Sequence, residues 1–336
     1  MLIMQNADLT ALNTFGLSSI AERLVTVQSE SDIEEYFKGD NQAPSLVLGG
    51  GSNLLLTRDI PGVVLKIEIP GIQIIEEADD HVLVRAGAGV EWHAFVMHCI
   101  EHGWAGVENL SLIPGNVGTA PMQNIGAYGV EIKSVFHSLE AYLTDDRAWK
   151  TFHLNECRFG YRESVFKREL KGKAVITSVT FRLSKVPHFN VSYGAIESEL
   201  ERMGISQLSL KAISDAVINI RRSTLPDPAQ IGNSGSFFKN PVILNDHFER
   251  LKADFPEIVG YASGERKTKV AAGWLIEKAG FKGKRFGQHG VHEKQALVLV
   301  NYGGASGRDI YNLSEDIIMT IHDMFGIQLE REVNVI

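Results

Sequence analysis

The sequence predicts an α+β protein of several domains, on three observations. The first part alternates strand-like and helix-like runs, and the middle is dominated by period-two alternation. The last third returns to helices and strands beyond a proline-marked hinge. With 336 residues, the chain is too long for one hydrophobic core and suits two or three domains of roughly 100–150 residues.

Taken in order, residues 24–27 (LVTV) read as a strand. Ser31 with Glu34 makes a capping box before a short helix carrying Ile33 and Phe37. Residues 45–48 form the next strand and deliver the chain into Gly49, completing a βαβ unit that ends in a glycine turn. Strands follow at 63–67, 72–75 and 82–86, with a turn at 78–81. A helix fits 90–102, with Gly103 as its C′ residue. Residues 139–143 and 174–183 are strand-like. Residues 205–222 read as a helix with Ile213, Val217 and Ile220 on one face, stopping before the hinge Leu225-Pro226-Asp227-Pro228. Beyond the hinge, 270–279 is helical, 296–301 is a strand, and 308–325 is a helix closed by Gly326. The last ten residues alternate like a strand. Ile327, Leu329, Val333 and Val335 share one face, and Glu330, Glu332 and Asn334 the other.

Composition narrows the function classes. The net charge of −8 gives nucleic-acid binding little electrostatic support. No run approaches the roughly 18 apolar residues needed to span a bilayer. The first residues, MLIMQNADLT, lack a basic n-region and a small-residue cleavage site, so no signal peptide is expected. Cys99 and Cys157 lie far apart in no metal-ligand pattern, which points to a reducing cytosol and away from zinc. His289 and His292 sit in a glycine-rich loop without an obvious third ligand, so no metal site is expected.

Two segments stand out. Residues 113–130, IPGNVGTAPMQNIGAYGV, hold Gly115, Gly118, Gly126 and Gly129 among small residues, and lack Lys, Arg and Asp. Residues 48–53, LGGGSN, have the same character directly after a strand. Glycine brings backbone N–H groups close to a neighbour because it has no Cβ. Rows of such amides suit an anionic, flat ligand such as a nucleotide pyrophosphate. Two cradles about sixty residues apart predict one large phosphate-bearing cofactor held across two structural units. The contacts expected come from Gly49, Gly50, Gly51, Ser52 and Asn53 in the first cradle. In the second they come from Pro114, Gly115, Gly118, Thr119, Gly126 and Ala127, with Gln123 and Asn124 reading the polar edges of a flavin ring or ribose. Neither the Rossmann fingerprint nor a P-loop is present. Around FGYRES (159–164), Arg158, Tyr161 and Arg162 flank Gly160, and a guanidinium on such a constrained turn suits a carboxylate bound by two parallel bonds. In GNSGSFFKNP (232–241), small residues position Ser236 before two aromatics, where a hydroxyl could give a proton to carbon.

Together these segments make the chain resemble the UDP-N-acetylenolpyruvoylglucosamine reductase (MurB) family, flavoenzymes of bacterial peptidoglycan synthesis. The resemblance spans essentially the whole length. It also takes in Asn13-Thr14-Phe15-Gly16, AAGWLIEKAG (271–280), QALVLVN (295–301) and LEREV (329–333). It implies a two-part FAD-binding domain of the vanillyl-alcohol-oxidase (PCMH) type, followed by a C-terminal α/β substrate-binding domain. The implied boundaries are 1–68 and 69–224 for the FAD-binding parts, with 326–336 returning to the second, and 225–325 for the substrate domain. The implied activity is that of a UDP-N-acetylmuramate dehydrogenase. FAD is bound non-covalently, NADPH is the co-substrate, and UDP-N-acetylenolpyruvoylglucosamine is reduced. Ser236 would protonate the substrate carbon, while Arg162 and Glu332 polarise the enolpyruvyl group. Asn190-Val191-Ser192-Tyr193-Gly194 resembles the substrate-gripping tyrosine loop of the family's longer class. Tyr193 would then lie over the diphosphate, and Asn240 and Gln295 would line the pocket. Thr224 departs from the pattern, because several relatives have a lysine before the hinge; either Arg221 or Lys239 would supply that cation, or the pyrophosphate is held less electrostatically. A cytoplasmic monomer with no nucleic-acid or membrane partner is expected. Two other readings remain at this point: another flavin oxidase of the same superfamily, and a nucleotide-sugar binding protein without turnover.

Overall fold

A computed structural model describes residues 1–39 and 43–336. The chain divides into two compact units. One comprises residues 1–7, 20–51 and 60–223, and the other residues 8–19, 52–59 and 224–336.

The first unit holds two sheets. In the smaller, the strands run in the order Leu2–Asp8, Ile20–Val27, Ile60–Ile67, Leu46–Leu48. Ile20–Val27 and Leu46–Leu48 each pair in parallel with Ile60–Ile67, which inserts between them. The helix Glu30–Lys38 makes the crossover that such an arrangement requires. It buries Ile33, Tyr36 and Phe37 against Val25, Val27, Val63 and Leu65. Its cap is Ser29, whose hydroxyl accepts from the Asp32 N–H at 3.1 Å. Ser31, the cap expected from sequence, is already helical, whereas Ser29 has the extended backbone a cap needs.

The larger sheet is antiparallel, in the order Ala148–His153, Phe136–Leu143, Ala174–Ser184, His81–Gly87, Ile72–Glu77. Ala148–His153 gives little sequence signal because only Phe152 of its six residues is buried. The helix Trp92–Glu101 packs on this sheet, with the Trp92 and Phe95 rings 5.8 and 4.8 Å from Phe181. Gly103, at φ 74°, ends it as expected. The core here also takes in Val117 and Ala120 of the long glycine segment. A separate helix, Gly194–Arg202, precedes the one expected over 205–222, which forms as Leu210–Thr224, starting five residues later than expected. Gly204, at φ 69°, follows the first, and the Ser209 hydroxyl accepts from the Ala212 N–H at 3.1 Å at the start of the second.

The second unit contains a sheet ordered Gly232–Ser236, Val298–Asn301, His289–Val291, Arg285–Phe286 and a three-stranded sheet of Val242–Leu244, Lys267–Val270 and Gly260–Ala262. Its long helix, Gly307–Phe325, starts in a Ser306/Asp309 capping box and ends at Gly326 with φ 63°. Phe15 and Leu17 join this core. The loop carrying them is closed by Asn13, which donates to the Leu9 and Leu17 carbonyls and accepts from the Leu17 N–H, each at 2.9 Å. A Cβ on Gly232 would stand 2.1 Å from the Phe15 carbonyl oxygen, so glycine is required there.

Three expectations are corrected. Of the last ten residues, only Asn334–Val335 forms a strand, parallel to Leu54–Leu55. Residues 326–336 do not return to 69–224. Ile327, Leu329 and Val333 are buried with Phe238, Ile317 and Ile321 in the second unit's own core. The boundary at 68 lies within the first unit, between its two sheets, but residues 8–19 and 52–59 of the expected first part belong to the second unit. Among the described residues, no helix is long and apolar enough to cross a membrane.

Candidate active site

In the first unit the two glycine turns are pressed together. A Cβ on Gly49 would sit 2.4 Å from the Thr119 methyl carbon. One on Gly50 would sit 2.7 Å from Asn116 Oδ1 and 2.9 Å from Gly115 Cα. These contacts leave no room for a Cβ, with Gly49 against the Thr119 side chain and Gly50 against the Gly115 backbone. Gly51 (φ 64°) and Gly115 (φ 113°) occupy conformations that other residues avoid. The second turn is held from within. Thr119 Oγ1 donates to the Asn116 carbonyl at 2.8 Å, and the Asn116 amide donates to the Gly89 carbonyl at 3.1 Å. With no Lys, Arg or Asp in residues 113–130, the second turn offers a ligand backbone amides and small side chains.

Two of the predicted cofactor contacts have other roles. Gly118 is small because Ala88 is there: a Cβ would lie 2.4 Å from the Ala88 Cβ, and the Gly118 N–H donates to the Ala88 carbonyl at 3.0 Å. Asn124 is fully buried at φ 45°. Its amide donates to Glu131 Oε2 (2.9 Å) and the Gly160 carbonyl (3.1 Å), and its oxygen accepts from the Lys133 N–H (3.1 Å). It ties three chain segments together and presents no edge to a ligand. Gln123 is half-buried, with Lys167 Nζ donating to Oε1 at 3.5 Å.

Leu112, just before this turn, has φ 58°, a strained backbone for a bulky side chain. It is held from both sides. Its N–H donates to His93 Nδ1 at 3.0 Å, and its carbonyl accepts from Arg221 Nε at 3.2 Å. Burial lowers the His93 pKa and keeps the ring a neutral acceptor. His93 and Leu112 carried no sequence signal, because they lie nineteen residues apart and meet only in the fold.

The Arg162 turn is fastened to the end of the glycine segment. Gly160 and Glu163 exchange backbone hydrogen bonds of 3.0 and 3.3 Å around Tyr161 and Arg162. Ser164 Oγ donates to the Met122 carbonyl at 2.6 Å, and Arg162 Nη2 donates to the Gly126 carbonyl at 2.7 Å. Gly126 and Ala127 form a hairpin with Val130 and Glu131. Arg162 itself has φ 54°, so its guanidinium is aimed by a backbone fixed at both neighbours.

Tyr193 is 52% exposed at the start of the helix Gly194–Arg202, edge-on to Tyr128 with ring centres 5.5 Å apart. The Tyr128 phenol is pushed up by burial and drawn back by Arg221, which hydrogen-bonds to it. Burial pulls the Arg221 pKa down. The structure therefore brings Tyr193 and Arg221 together through Tyr128, a residue the sequence reading missed. Its signal was present, as the single aromatic in residues 113–130.

In the second unit, Ser236 ends the strand Gly232–Ser236 beside Val298, after Gly235 at φ 69°. Segment 237–239 pairs with 330–332. The Glu332 N–H donates to the Phe237 carbonyl (2.8 Å), and the Lys239 N–H donates to the Glu330 carbonyl (2.9 Å). Glu332 is thereby fixed one backbone bond from the residue after Ser236. Lys239 Nζ is paired with Glu330 Oε1 at 2.5 Å. Asn240 Oδ1 accepts from the Ala272 N–H at 2.9 Å, capping the helix Ala272–Lys278. Gln295 Oε1 accepts from the Leu297 N–H at 3.4 Å and lies 3.5 Å from where a Cβ on Gly273 would stand. Asn240 and Gln295 thus converge on the start of that helix. Of the expected catalytic residues, Arg162 belongs to the first unit, and Ser236 and Glu332 to the second.

Comparison with known proteins gives this geometry a context. Residues 21–151 match the family model for an FAD binding domain, and 227–336 match that for the UDP-N-acetylenolpyruvoylglucosamine reductase C-terminal domain. A Flavobacterium johnsoniae protein named UDP-N-acetylenolpyruvoylglucosamine reductase is 51% identical over 335 residues, 99% of each chain. The chain belongs to this reductase family. A Pseudomonas putida member is 47% identical over 332 residues, 98% of each chain. The fold is likewise that of the crystal structure of UDP-N-acetylenolpyruvylglucosamine reductase (MurB) from Thermus caldophilus, with a TM-score of 0.68 at 22% identity, covering 99% of this chain and 98% of that one. The expected fold class, α+β with an FAD-binding domain and a C-terminal domain, is the one observed.

Proposed function

We propose that this chain is a UDP-N-acetylmuramate dehydrogenase. It reduces UDP-N-acetylenolpyruvoylglucosamine to UDP-N-acetylmuramate in peptidoglycan synthesis, using NADPH and a non-covalent FAD. The observation that carries this is the 51% identity, over 99% of both chains, to a reductase so named. The glycine turns fit the cofactor: they are narrow, free of acidic side chains, and have no room for a Cβ at Gly49 or Gly50. Backbone amides of Gly49–Asn53 in sequence and of Pro114, Gly115 and Thr119 are the groups that would hold it. When bound, FAD supplies a two-electron carrier between NADPH and the substrate's carbon–carbon double bond.

The rest is the work of the chain's own residues. As hydride adds to the CH₂ terminus, charge moves onto the substrate carboxylate. Arg162, held at a fixed orientation by Gly126, offers that charge a preorganised cation. Ser236 gives its proton to the carbon bearing the carboxylate and ether oxygen, completing the saturated lactyl ether. Glu332 orients the reacting group. Tyr193 and Arg221 take the diphosphate, as in the family's longer class, and Asn240 and Gln295 line the sugar side. Arg221 is the better replacement for the lysine missing at Thr224, because Lys239 is already paired with Glu330. The two unpaired, buried cysteines fit a reducing cytoplasm. We take the working form to be a monomer without membrane or nucleic-acid partners.

Ser236→Ala tests the assignment. NADPH should still bleach the flavin, while reoxidation by the enolpyruvyl sugar slows by about 10²- to 10⁴-fold, the usual contribution of a positioned general acid. Reoxidation at the wild-type rate would show that another group delivers the proton.

A further inference from the structure

Arg331 stands between the two glutamates of Glu330-Arg331-Glu332, and the mechanism above gives it no role. Its guanidinium is nevertheless the most elaborately held on this segment. Nε donates to Ser314 Oγ at 2.8 Å, and Nη2 donates to Glu315 Oε1 at 2.6 Å. The Tyr311 ring lies 4.6 Å from Cζ. All three partners belong to the helix Gly307–Phe325. Ser314 is fully buried and uses its own proton on the Tyr311 carbonyl, so its oxygen is left as an acceptor for Arg331. Glu315 in turn pairs with Tyr311 as well as Arg331.

The segment this anchors is the one that carries Glu332. Arg331 bridges Phe238 in antiparallel fashion, between the 330–239 and 332–237 hydrogen bonds. Arg331 shares its face with Leu329 and Val333, both buried in the second unit's core, and residues 334–335 pair with 54–55, so the segment's register is specified from one buried face. In extended chain, a slip of one residue moves every side chain to the opposite face. For Glu-Arg-Glu, a slip would turn Glu332 toward the helix and Arg331 away from it. Leu329 and Val333 oppose this, because they would leave the core, and Arg331 adds the polar counterpart between them, because a carboxylate in its place would meet Glu315 rather than a guanidinium.

We infer that Arg331 is a positioning residue of the reaction. Clamped to the helix Gly307–Phe325 between the buried Leu329 and Val333, it fixes the orientation of the peptide run that holds Glu332 against the carbonyl of Phe237, the residue after Ser236. The inference rests on the proposed function, and its test separates the two. FAD-loaded enzyme is mixed first with NADPH and then with the enolpyruvyl sugar, and each half-reaction is timed. In Arg331→Met, bleaching by NADPH keeps its wild-type rate, while reoxidation slows about 10- to 100-fold, the scale of a misplacement of about 1 Å. Arg331→Lys, which keeps the cation, recovers most of the loss. In Arg331→Met/Glu332→Gln, reoxidation is no slower than in Glu332→Gln alone, because the arginine acts through the glutamate. Glu315→Gln and Ser314→Ala, which leave the segment's sequence intact, give the same selective slowing if Arg331→Met does not fold. Thermal melts of the cofactor-free variants separate loss of fold from loss of that orientation. Wild-type reoxidation in these variants, or losses that multiply in the double variant, would overturn the inference. Wild-type enzyme that NADPH bleaches but the enolpyruvyl sugar fails to reoxidise would instead overturn the proposed function.

Discussion

Asn124 and His93 show what a single residue's chemistry leaves open. An amide beside a glycine turn is equipped to read a ligand's edge, and sequence reasoning gave Asn124 that role. The fold spends the same donors and acceptor on Glu131, Gly160 and Lys133. His93 had no assigned role, yet it accepts the Leu112 N–H that leads into the second cradle. That acceptor exists only while the ring is neutral. Burial holds the folded-state pKa below the ordinary value of about 6.5, so the unfolded chain takes up the proton first as pH falls. The stability is therefore complete above about pH 6.5 and is lost as pH drops toward the folded pKa. His292, whose pKa burial also lowers, has the same sign. In His93→Gln, which keeps an acceptor but cannot titrate, melting temperature should fall less steeply between about pH 7 and pH 5 than in wild type. Coincident slopes would exclude His93 as a source of the acid sensitivity.

At the scale of elements, capping and glycine turns were legible where local chemistry decides and not where neighbours do. Gly326 closes its helix as read, since a left-handed residue at a helix end needs no tertiary partner. The cap at Ser29 was misplaced by two residues because both serines satisfy the motif and only backbone geometry distinguishes them. The two glycine runs were identified as a pair. Their direct apposition came only from the fold. Gly50→Ala tests that apposition: the methyl would meet Gly115 Cα and Asn116 Oδ1 and force the turns apart. Purified Gly50→Ala should carry much less flavin than wild type at a melting temperature reduced by several degrees, as for about 1 kcal/mol or more of overpacking. Full flavin content would mean the turns need not touch to hold the cofactor.

For the whole molecule, the division of labour has a kinetic consequence. Neither a Rossmann fingerprint nor a P-loop offers NADPH a site of its own. The nucleotide and the enolpyruvyl sugar are therefore expected to take turns at one flavin. Initial rates with both substrates varied should give parallel double-reciprocal lines, and an intersecting pattern would require that both bind at once. The sequence by itself determined the family and many of the strands and helices, and it named candidate residues for the chemistry. Those properties reside in short runs whose glycines, amides and apolar spacing are local. Only the tertiary structure decided that residues 326–336 complete the second core, that Asn124 and Gly118 serve packing, and that Tyr128 links Tyr193 to Arg221. Each of those depends on which distant segment lies within hydrogen-bonding or van der Waals reach, and such proximity has no signature in the order of residues along the chain.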